Sequence, residues 1–265
     1  MKYKLIAVDM DGTLLDDNKN ISPLTIKAIQ KAESMGIIFT ISTGRPIMGV
    51  EKYNQILNLK SPIITYNGAA IVKADTKKVL FIQNLLEQDA IKILELGSNL
   101  GITMCIWAHD NLYCNVLNEL VMDYKKLSDV EPILINDFTT LAKEGITKIL
   151  WYSDATFIEN VQLKLKNINF NKVSFYTSKP TFLEFVHSDV SKARAMEQIG
   201  KMYGISRKEM IAVGDGQNDL PMIEYAGLGV AMANSSDEIK QKANYVTKNS
   251  NNNDGVVEVM DKFIF

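Results

Sequence analysis

The stretch Leu5-Ile6-Ala7-Val8-Asp9-Met10-Asp11-Gly12-Thr13 decides how the rest of the chain is read. A short, unbroken apolar run ends abruptly in two carboxylates and a glycine. Continuous rather than alternating apolar residues suit a parallel strand covered on both faces, and the acidic exit suits its carboxyl end, where open α/β sheets bind ligands. Asp9 and Asp11 point the same way from an extended segment or flank a tight loop, and either arrangement offers oxygen to Mg²⁺. Gly12 permits the backbone turn that follows. Asp and Gly are also common turn residues, so a plain strand exit is the competing reading. As a fixed pattern, Asp-x-Asp-Gly-Thr arises by chance in on the order of a few per thousand chains of this length.

Downstream of this strand the pattern becomes helical. Ser22 caps, Pro23 takes the first helical position, Ala28, Ile29, Ala32 and Met35 share one face, and Gly36 stops the helix. A second strand at 37–41 leads to Ser42-Thr43-Gly44-Arg45, then a helix through Leu57, then a third strand at 63–65 that ends in Tyr66-Asn67-Gly68. This alternation predicts an open parallel α/β sheet. The middle third differs. A helix at 86–99 is followed by strands at 102–107, 112–116, 146–152, 172–178 and 181–186, with helices at 117–127 and 154–166 between them. Short turns at Asp110-Asn111 and Lys179-Pro180 indicate a mixed or antiparallel sheet. The pattern predicts an α+β domain at 84–185, inserted into a core made of 1–83 and 186–265. The parallel alternation resumes with a helix at 192–203, a strand at 210–213, a helix at 219–226, a strand at 228–232, helix 236–243 and a closing helix after Gly255. Asn249 to Asp254 reads as a polar turn.

Composition narrows the function classes. The 265 residues carry a net charge of -2, with acidic and basic residues well mixed, so nothing recruits nucleic acid electrostatically. Cys105 and Cys114 are too few for a disulfide framework and read as reduced thiols. No apolar run approaches the roughly 18 residues of a membrane span. A cytoplasmic protein with no nucleic-acid or membrane partner is expected.

Three further clusters sit at strand exits or helix entrances. In Ser42-Thr43-Gly44-Arg45 a hydroxyl, a glycine amide and a guanidinium are suitable donors to phosphate oxygens, although such residues also cap helices routinely. Lys192 opens a helix, where lysine is electrostatically disfavoured, which points to a nearby anion; an isolated lysine is otherwise a solvated residue. In Gly214-Asp215-Gly216-Gln217-Asn218-Asp219 a carboxylate follows an apolar strand, and Asp215 can serve a metal while Asn218 and Asp219 orient phosphate and lysine. The bland alternative is a Gly-Asp turn with a helix cap.

These four clusters, in this order, resemble the haloacid dehalogenase-like superfamily, and within it the Cof-type phosphatases, which carry a large α+β cap between the second and third motifs. Here the interval from Arg45 to Lys192 holds the predicted insert. Tyr66-Asn67-Gly68-Ala69, Gly229-Val230-Ala231-Met232 and Asn253-Asp254-Gly255-Val256 extend the resemblance, while Ala193 stands where the family usually has glycine. The resemblance implies a Rossmann-like doubly wound parallel sheet core with the cap inserted into it. It implies a Mg²⁺-dependent phosphatase acting on a small phosphorylated substrate, a sugar phosphate or a phosphorylated cofactor such as pyridoxal phosphate or flavin mononucleotide. Carried over by position, Asp9 is the nucleophile and Asp11 the general acid, then base. Mg²⁺ is held by the Asp9 side chain, the Asp11 backbone carbonyl and Asp215. The Met10 amide, Thr43, the Gly44 amide, Lys192 and Asn218 bind phosphoryl oxygens. Asp219 orients Lys192 or a metal-bound water, and Arg45 and Asn67 face the substrate. The cap excludes water and selects the leaving group. A monomer or weak homodimer is expected. Trp107, His109, Tyr113 and Trp151 can line a cleft, but aromatic residues in strands mostly pack, and neither His109 nor His187 is given a catalytic role. Two other functions remain compatible: a phosphomutase with the same nucleophile, and a phosphometabolite-binding regulator without catalysis.

Overall fold

The structure is a computed structural model that describes residues 2–265. Its strands are β1 Leu5–Asp9, β2 Ile38–Ser42, β3 Pro62–Thr65, β4 Ala70–Lys73, β5 Val79–Ile82, β6 Thr103–Ala108, β7 Asn111–Cys114, β8 Pro132–Leu134, β9 Lys148–Tyr152, β10 Val173–Lys179, β11 Phe182–His187, β12 Met210–Gly214, β13 Leu228–Ala231 and β14 Tyr245–Val246. Two compact units form. One comprises the chain through Arg45, Val50–Phe81 and Ser191–Phe265; the other comprises Pro46–Gly49 and Ile82–Val190. Apart from the short segment Pro46–Gly49, which the sequence pattern assigns to the core, the chain passes between units at 81/82 and 190/191, where the sequence pattern predicts 83/84 and 185/186. The later second passage follows from β11 running on to His187, whose carbonyl then accepts from the Val190 N–H at 2.9 Å.

In the first unit the strand order is β14-β13-β12-β1-β2-β3-β4-β5. β1 lies between β12 and β2, parallel to both, and all five of its residues are buried, as its unbroken apolar run requires. The register sets Asp9 beside Ser42 and Val8 beside Val213, so the exits of β1, β2 and β12 lie level at one end of the sheet. Beneath the sheet, the helix Lys192–Tyr203 buries Ala195, Met196 and Ile199 against Leu5, Ala7, Met210 and Ala212. Met196, Ile199, Leu5 and Met210 each contribute about 1.5–3 kcal/mol by leaving water, and each alanine methyl about 0.8 kcal/mol. Ser22 caps the helix Pro23–Ser34 by accepting from the Thr25 N–H at 3.0 Å. Met35, expected on the buried face of that helix, is exposed, because the helix ends at Ser34 and Met35 forms its C-cap.

One edge of this sheet departs from the predicted all-parallel pattern. β3 and β4 pair antiparallel, and β5 follows β4 at the edge. The reversal is made by Tyr66, Asn67 and Gly68, with φ of 52, 55 and 105°. A tyrosine in the left-handed region has no signature in sequence, since only Gly, Asn and Asp visit it readily.

The second unit holds a sheet of order β10-β11-β9-β6-β7-β8, antiparallel throughout except for β7 and β8. Ile93 and Leu94 of the helix Glu87–Asn99 and Ile158 and Val161 of the helix Ala155–Leu165 pack with Ile106, Ile149, Trp151 and Phe185 in one core. Trp107 and Trp151 are fully buried, whereas Tyr113 is half-buried and His109 exposed. His109 and Asp110 take φ of 52 and 60° at the β6–β7 turn, and Cys105 and Cys114 face each other across that hairpin as free thiols. Two elements of this unit were not foreseen: β8 and the helix Phe138–Glu144. The helix has seven residues, too few for periodicity to register, and is started by the Asp137 carboxylate accepting from Thr139 and Thr140 N–H. Among the described residues, no helix is long and apolar enough to cross a membrane.

Candidate active site

The end of β1 delivers Asp9 into an almost dry position, 6% exposed. Asp9 accepts a hydrogen bond from the Lys192 ammonium, which is itself fully buried and also donates to Asp219 Oδ1 at 2.6 Å. The other Asp219 oxygen accepts from the Asp215 and Gly216 N–H groups at 3.0 and 2.9 Å. Asp219 therefore ties the β12 loop to the lysine and has both oxygens occupied. Asp215 accepts from Thr13 Oγ1 at 2.7 Å through Oδ1, and neither Asp215 Oδ2 nor Asp9 Oδ2 accepts a hydrogen bond among the described residues. Carboxylate oxygens of Asp9, Asp215 and Asp219 lie within 4.8 Å of one another.

That crowding sets the electrostatics. Burial pushes Asp9 up to about 8, against the pull of Lys192, and the charges of Asp219 and Asp215 push the same way. Burial likewise raises Asp215 to about 6, with the Thr13 hydrogen bond opposing. Lys192 is held as the ammonium: burial works against its charge, but Asp9 and Asp219 outweigh it. Three carboxylates share one buried cation, so the cluster carries uncompensated negative charge.

The backbone after Asp9 folds back tightly. Leu14 and Leu15 N–H groups bond the Asp9 and Met10 carbonyls at 3.1 and 2.9 Å. Gly12 makes this possible with φ of 84°, and a Cβ there would also collide with the Asp215 carboxylate. Asp11 sits at the rim, where Arg45 grips it through both oxygens (Nε to Oδ2 2.8 Å, second terminal nitrogen to Oδ1 2.7 Å) and Lys19 adds a bond of 2.9 Å. Burial alone would raise the Asp11 pKa, but these two cations outweigh it and hold it below the ordinary carboxylate value. Arg45, expected to face the substrate, is thus turned onto Asp11 and lies 5.4 Å from the Tyr53 ring centroid.

At the end of β2, Thr43 is buried and its hydroxyl accepts from the Arg45 N–H at 3.2 Å, leaving its own proton to donate elsewhere. The Tyr66–Gly68 turn locks this loop: Tyr66 N–H bonds the Arg45 carbonyl at 3.0 Å and Asn67 N–H the Thr43 carbonyl at 2.9 Å. Asn67 Oδ1 accepts from Asn218 Nδ2 at 3.1 Å, so Asn67, expected to face the substrate, joins the β2 loop to the β12 loop. A Cβ on Gly68 would strike the Ser191 carbonyl, which brings the start of the lysine helix against the same turn. The structure therefore brings Asp9, Met10, Asp11, Thr43, Gly44, Arg45, Asn67, Lys192, Asp215, Asn218 and Asp219 to one end of the sheet of the first unit. Sequence reasoning missed Thr13, which orients Asp215, and Lys19 on Asp11. Thr13 stands within the first motif and was legible there; Lys19 carries no local signal.

This arrangement can be set beside known proteins. The model of the haloacid dehalogenase-like hydrolase family matches residues 6–260. The chain is 33% identical, over 98% of its length and 96% of the relative's, to the 5-amino-6-(5-phospho-D-ribitylamino)uracil phosphatase YcsE of Bacillus subtilis. It is 29% identical to another phosphatase of that name, YitU of the same organism, over 99% of this chain and 98% of the relative. Among solved structures, a haloacid dehalogenase-like hydrolase from Bacteroides thetaiotaomicron superposes with a TM-score of 0.89 at 30% identity, covering 99% of this chain and 100% of that one. TM0651 from Thermotoga maritima follows at a TM-score of 0.88 and 28% identity, over 99% and 98% of the two chains. With an acidic cluster at the end of a parallel sheet and a family match spanning nearly the whole sequence, the chain belongs to the haloacid dehalogenase-like hydrolases, and within them to the Cof-type phosphatases.

Proposed function

We propose that the protein is a Mg²⁺-dependent phosphatase that hydrolyses a small phosphorylated metabolite through an aspartyl-phosphate on Asp9. The observation that carries this reading is a buried carboxylate, Asp9, held by a buried ammonium on one oxygen and, among the described residues, accepting no hydrogen bond on the other. The Asp9 oxygen attacks phosphorus in line, the ester P–O bond breaks, and the leaving alkoxide takes a proton from Asp11. Water then attacks phosphorus of the acyl phosphate and gives its proton to Asp11; the P–O bond to Asp9 breaks and inorganic phosphate leaves. Thr43, the Met10 and Gly44 amides, Lys192 and Asn218 neutralise and orient the phosphoryl oxygens, which is most of the work in phosphoryl transfer. Asp11 paired with Arg45 and Lys19 is the carboxylate that accepts the water's proton, so its acid role requires release from Arg45. A phosphoryl group that draws the guanidinium away meets that requirement.

The donor set fits Mg²⁺. Among the described residues Asp9 and Asp215 each offer a hard oxygen without a hydrogen bond, and the three clustered carboxylates outnumber the one ammonium of Lys192. The Asp11 carbonyl is the third protein oxygen we assign, and Asp219, with both oxygens occupied, holds Lys192 instead. Bound there, Mg²⁺ supplies charge neutralisation for the carboxylates and the phosphoryl oxygens. Binding should also stabilise the fold: at 100 times Kd the gain is about 2.7 kcal/mol, or roughly 5–10 °C in Tm for a chain of this size. Thermal scans with and without MgCl₂ check this, and Asp215→Asn should abolish most of the shift.

The substrate class we favour is a phosphomonoester of a sugar or of a sugar-alcohol chain, since two relatives are named for a phospho-ribityl compound. A panel of phosphate esters with Mg²⁺ tests the whole reading; absence of phosphate release from every ester would reject it. The Asn67 link gives a further expectation. Asn67→Gly keeps the left-handed backbone and loses the bond to Asn218, so kcat/KM should fall about 10-fold or more, at least the cost of roughly one hydrogen bond. Asn67→Ala should show the same kinetic loss and in addition cost about 1–2 kcal/mol of stability from its φ.

A further inference from the structure

We infer that the asparagine-rich run at 249–254 is a brace that fixes the turn following Asp9, and that Asn234 and Asn251 are positioning residues for the reaction proposed above, on which their kinetic role rests. Read as sequence, the run is only a polar turn. In the structure it is anchored on one side and reaches across on the other. The anchor is Glu258, whose carboxylate accepts from the Lys248 and Asn249 N–H groups at 3.0 Å each and from Tyr245 Oη at 2.6 Å. From there Asn251 Nδ2 donates to the Leu15 carbonyl at 3.0 Å and to Asp17 Oδ1 at 3.1 Å. Asn252 and Asp17 exchange two further bonds of 2.9 and 3.0 Å. Asn251 N–H donates to Asn234 Oδ1 at 3.2 Å, and Asn234 Nδ2 donates in turn to the Gly12 carbonyl at 2.8 Å. Asp254 closes the far end by accepting from Ser22 and Thr25, at the start of the next helix.

The two carbonyls held in this way, Gly12 and Leu15, bound the turn in which Leu14 and Leu15 amides grip the Asp9 and Met10 carbonyls and Thr13 orients Asp215. Any rotation of that turn moves Asp9, Asp11 and the Asp215 partner together. An error of about 1 Å in such a constellation costs on the order of 10²-fold in rate without weakening substrate binding to the same degree. The brace therefore acts on kcat through backbone position, with no contact to the reacting atoms.

The test uses the full chain as wild type, Asn234→Ala, Asn251→Asp, and the double variant Asp17→Asn with Asn251→Asp. Asn251→Asp is nearly isosteric but loses both donors and sets a carboxylate against Asp17 and the Leu15 carbonyl; the double variant restores a donor-acceptor pair between the two side chains. Amide hydrogen exchange at Leu14 and Leu15 should quicken about 10-fold or more in Asn251→Asp, a readout independent of activity. With p-nitrophenyl phosphate and Mg²⁺, kcat should fall about 10- to 10²-fold with KM within about 2-fold, in both single variants, while Tm stays within a few degrees. The double variant restores the link between residues 17 and 251 but not the donor to the Leu15 carbonyl, so it should recover kcat and exchange protection in part. Unchanged exchange and kcat in Asn251→Asp would overturn the proposal, as would a kcat loss that only tracks a fall in Tm and is not rescued by the double variant. If the wild type hydrolyses no ester at all, the phosphatase reading fails, and the exchange data alone decide whether the brace exists.

Discussion

Replacing Asp9 with Asn should abolish phosphate release, by on the order of 10⁴-fold or more in kcat, because the amide is no nucleophile toward phosphorus and the remaining site only binds. The same variant should fold normally and, without metal, more stably than wild type at mildly alkaline pH. The sign follows from the position of the carboxyl group, which burial raises from 3.8 to about 8. Below about pH 4 Asp9 is protonated whether the chain is folded or not, and it contributes nothing. As pH rises through the window from about 4 to about 8, the unfolded chain releases the proton freely while the folded one resists, so stability is lost across that window. The Asn variant has no proton to release and escapes this loss. Denaturant titrations at pH 5 and pH 8 in EDTA, alongside a phosphate-release assay in Mg²⁺, separate the two effects. Retained turnover in Asp9→Asn would end the covalent mechanism, and equal pH dependence of stability in both proteins would contradict the electrostatics described for the cluster.

Lys192→Met should be the most damaging single change at the site for stability and activity together. The lysine is fully buried and bonded to both Asp9 and Asp219, so its removal leaves two carboxylates in a dry site with no cation between them. Breaking a buried ion pair from one side costs about 3–5 kcal/mol, which corresponds to a fall of roughly 10 °C in Tm. The loss of a preorganised cation beside the phosphoryl group should add about 10²- to 10³-fold in kcat. Pairing it with Asp219→Asn should return part of the lost Tm, since one of the stranded charges is gone, but none of the activity. Calorimetry and steady-state kinetics on the two variants check this; full thermal recovery together with recovered turnover would mean that Lys192 serves only the fold.

The family and the residues gathered at the site were legible because the motifs are local. Asp9 to Thr13, Ser42 to Arg45, Lys192 and Gly214 to Asp219 each occupy a strand exit or helix entrance, and an apolar strand of four residues announces such an exit without any knowledge of its neighbours. β4, antiparallel to β3, the edge strand β5, the seven-residue helix at Phe138 and the left-handed Tyr66 were not legible. The hairpin depends on a φ that tyrosine adopts only under tertiary constraint, and the short helix owes more to packing than to periodicity.

What the sequence determined by itself was therefore the inventory: which carboxylates, which lysine, which hydroxyls, and their order along a parallel sheet. What only the tertiary structure decided was their pairing. Arg45 closes on Asp11, Asn67 on Asn218, Thr13 on Asp215, and a polar run near the carboxyl terminus holds the turn after the first strand. The physical reason is that strand and helix propensities act over a few residues, whereas a hydrogen bond between residues up to 236 positions apart exists only once the sheet has set their distance.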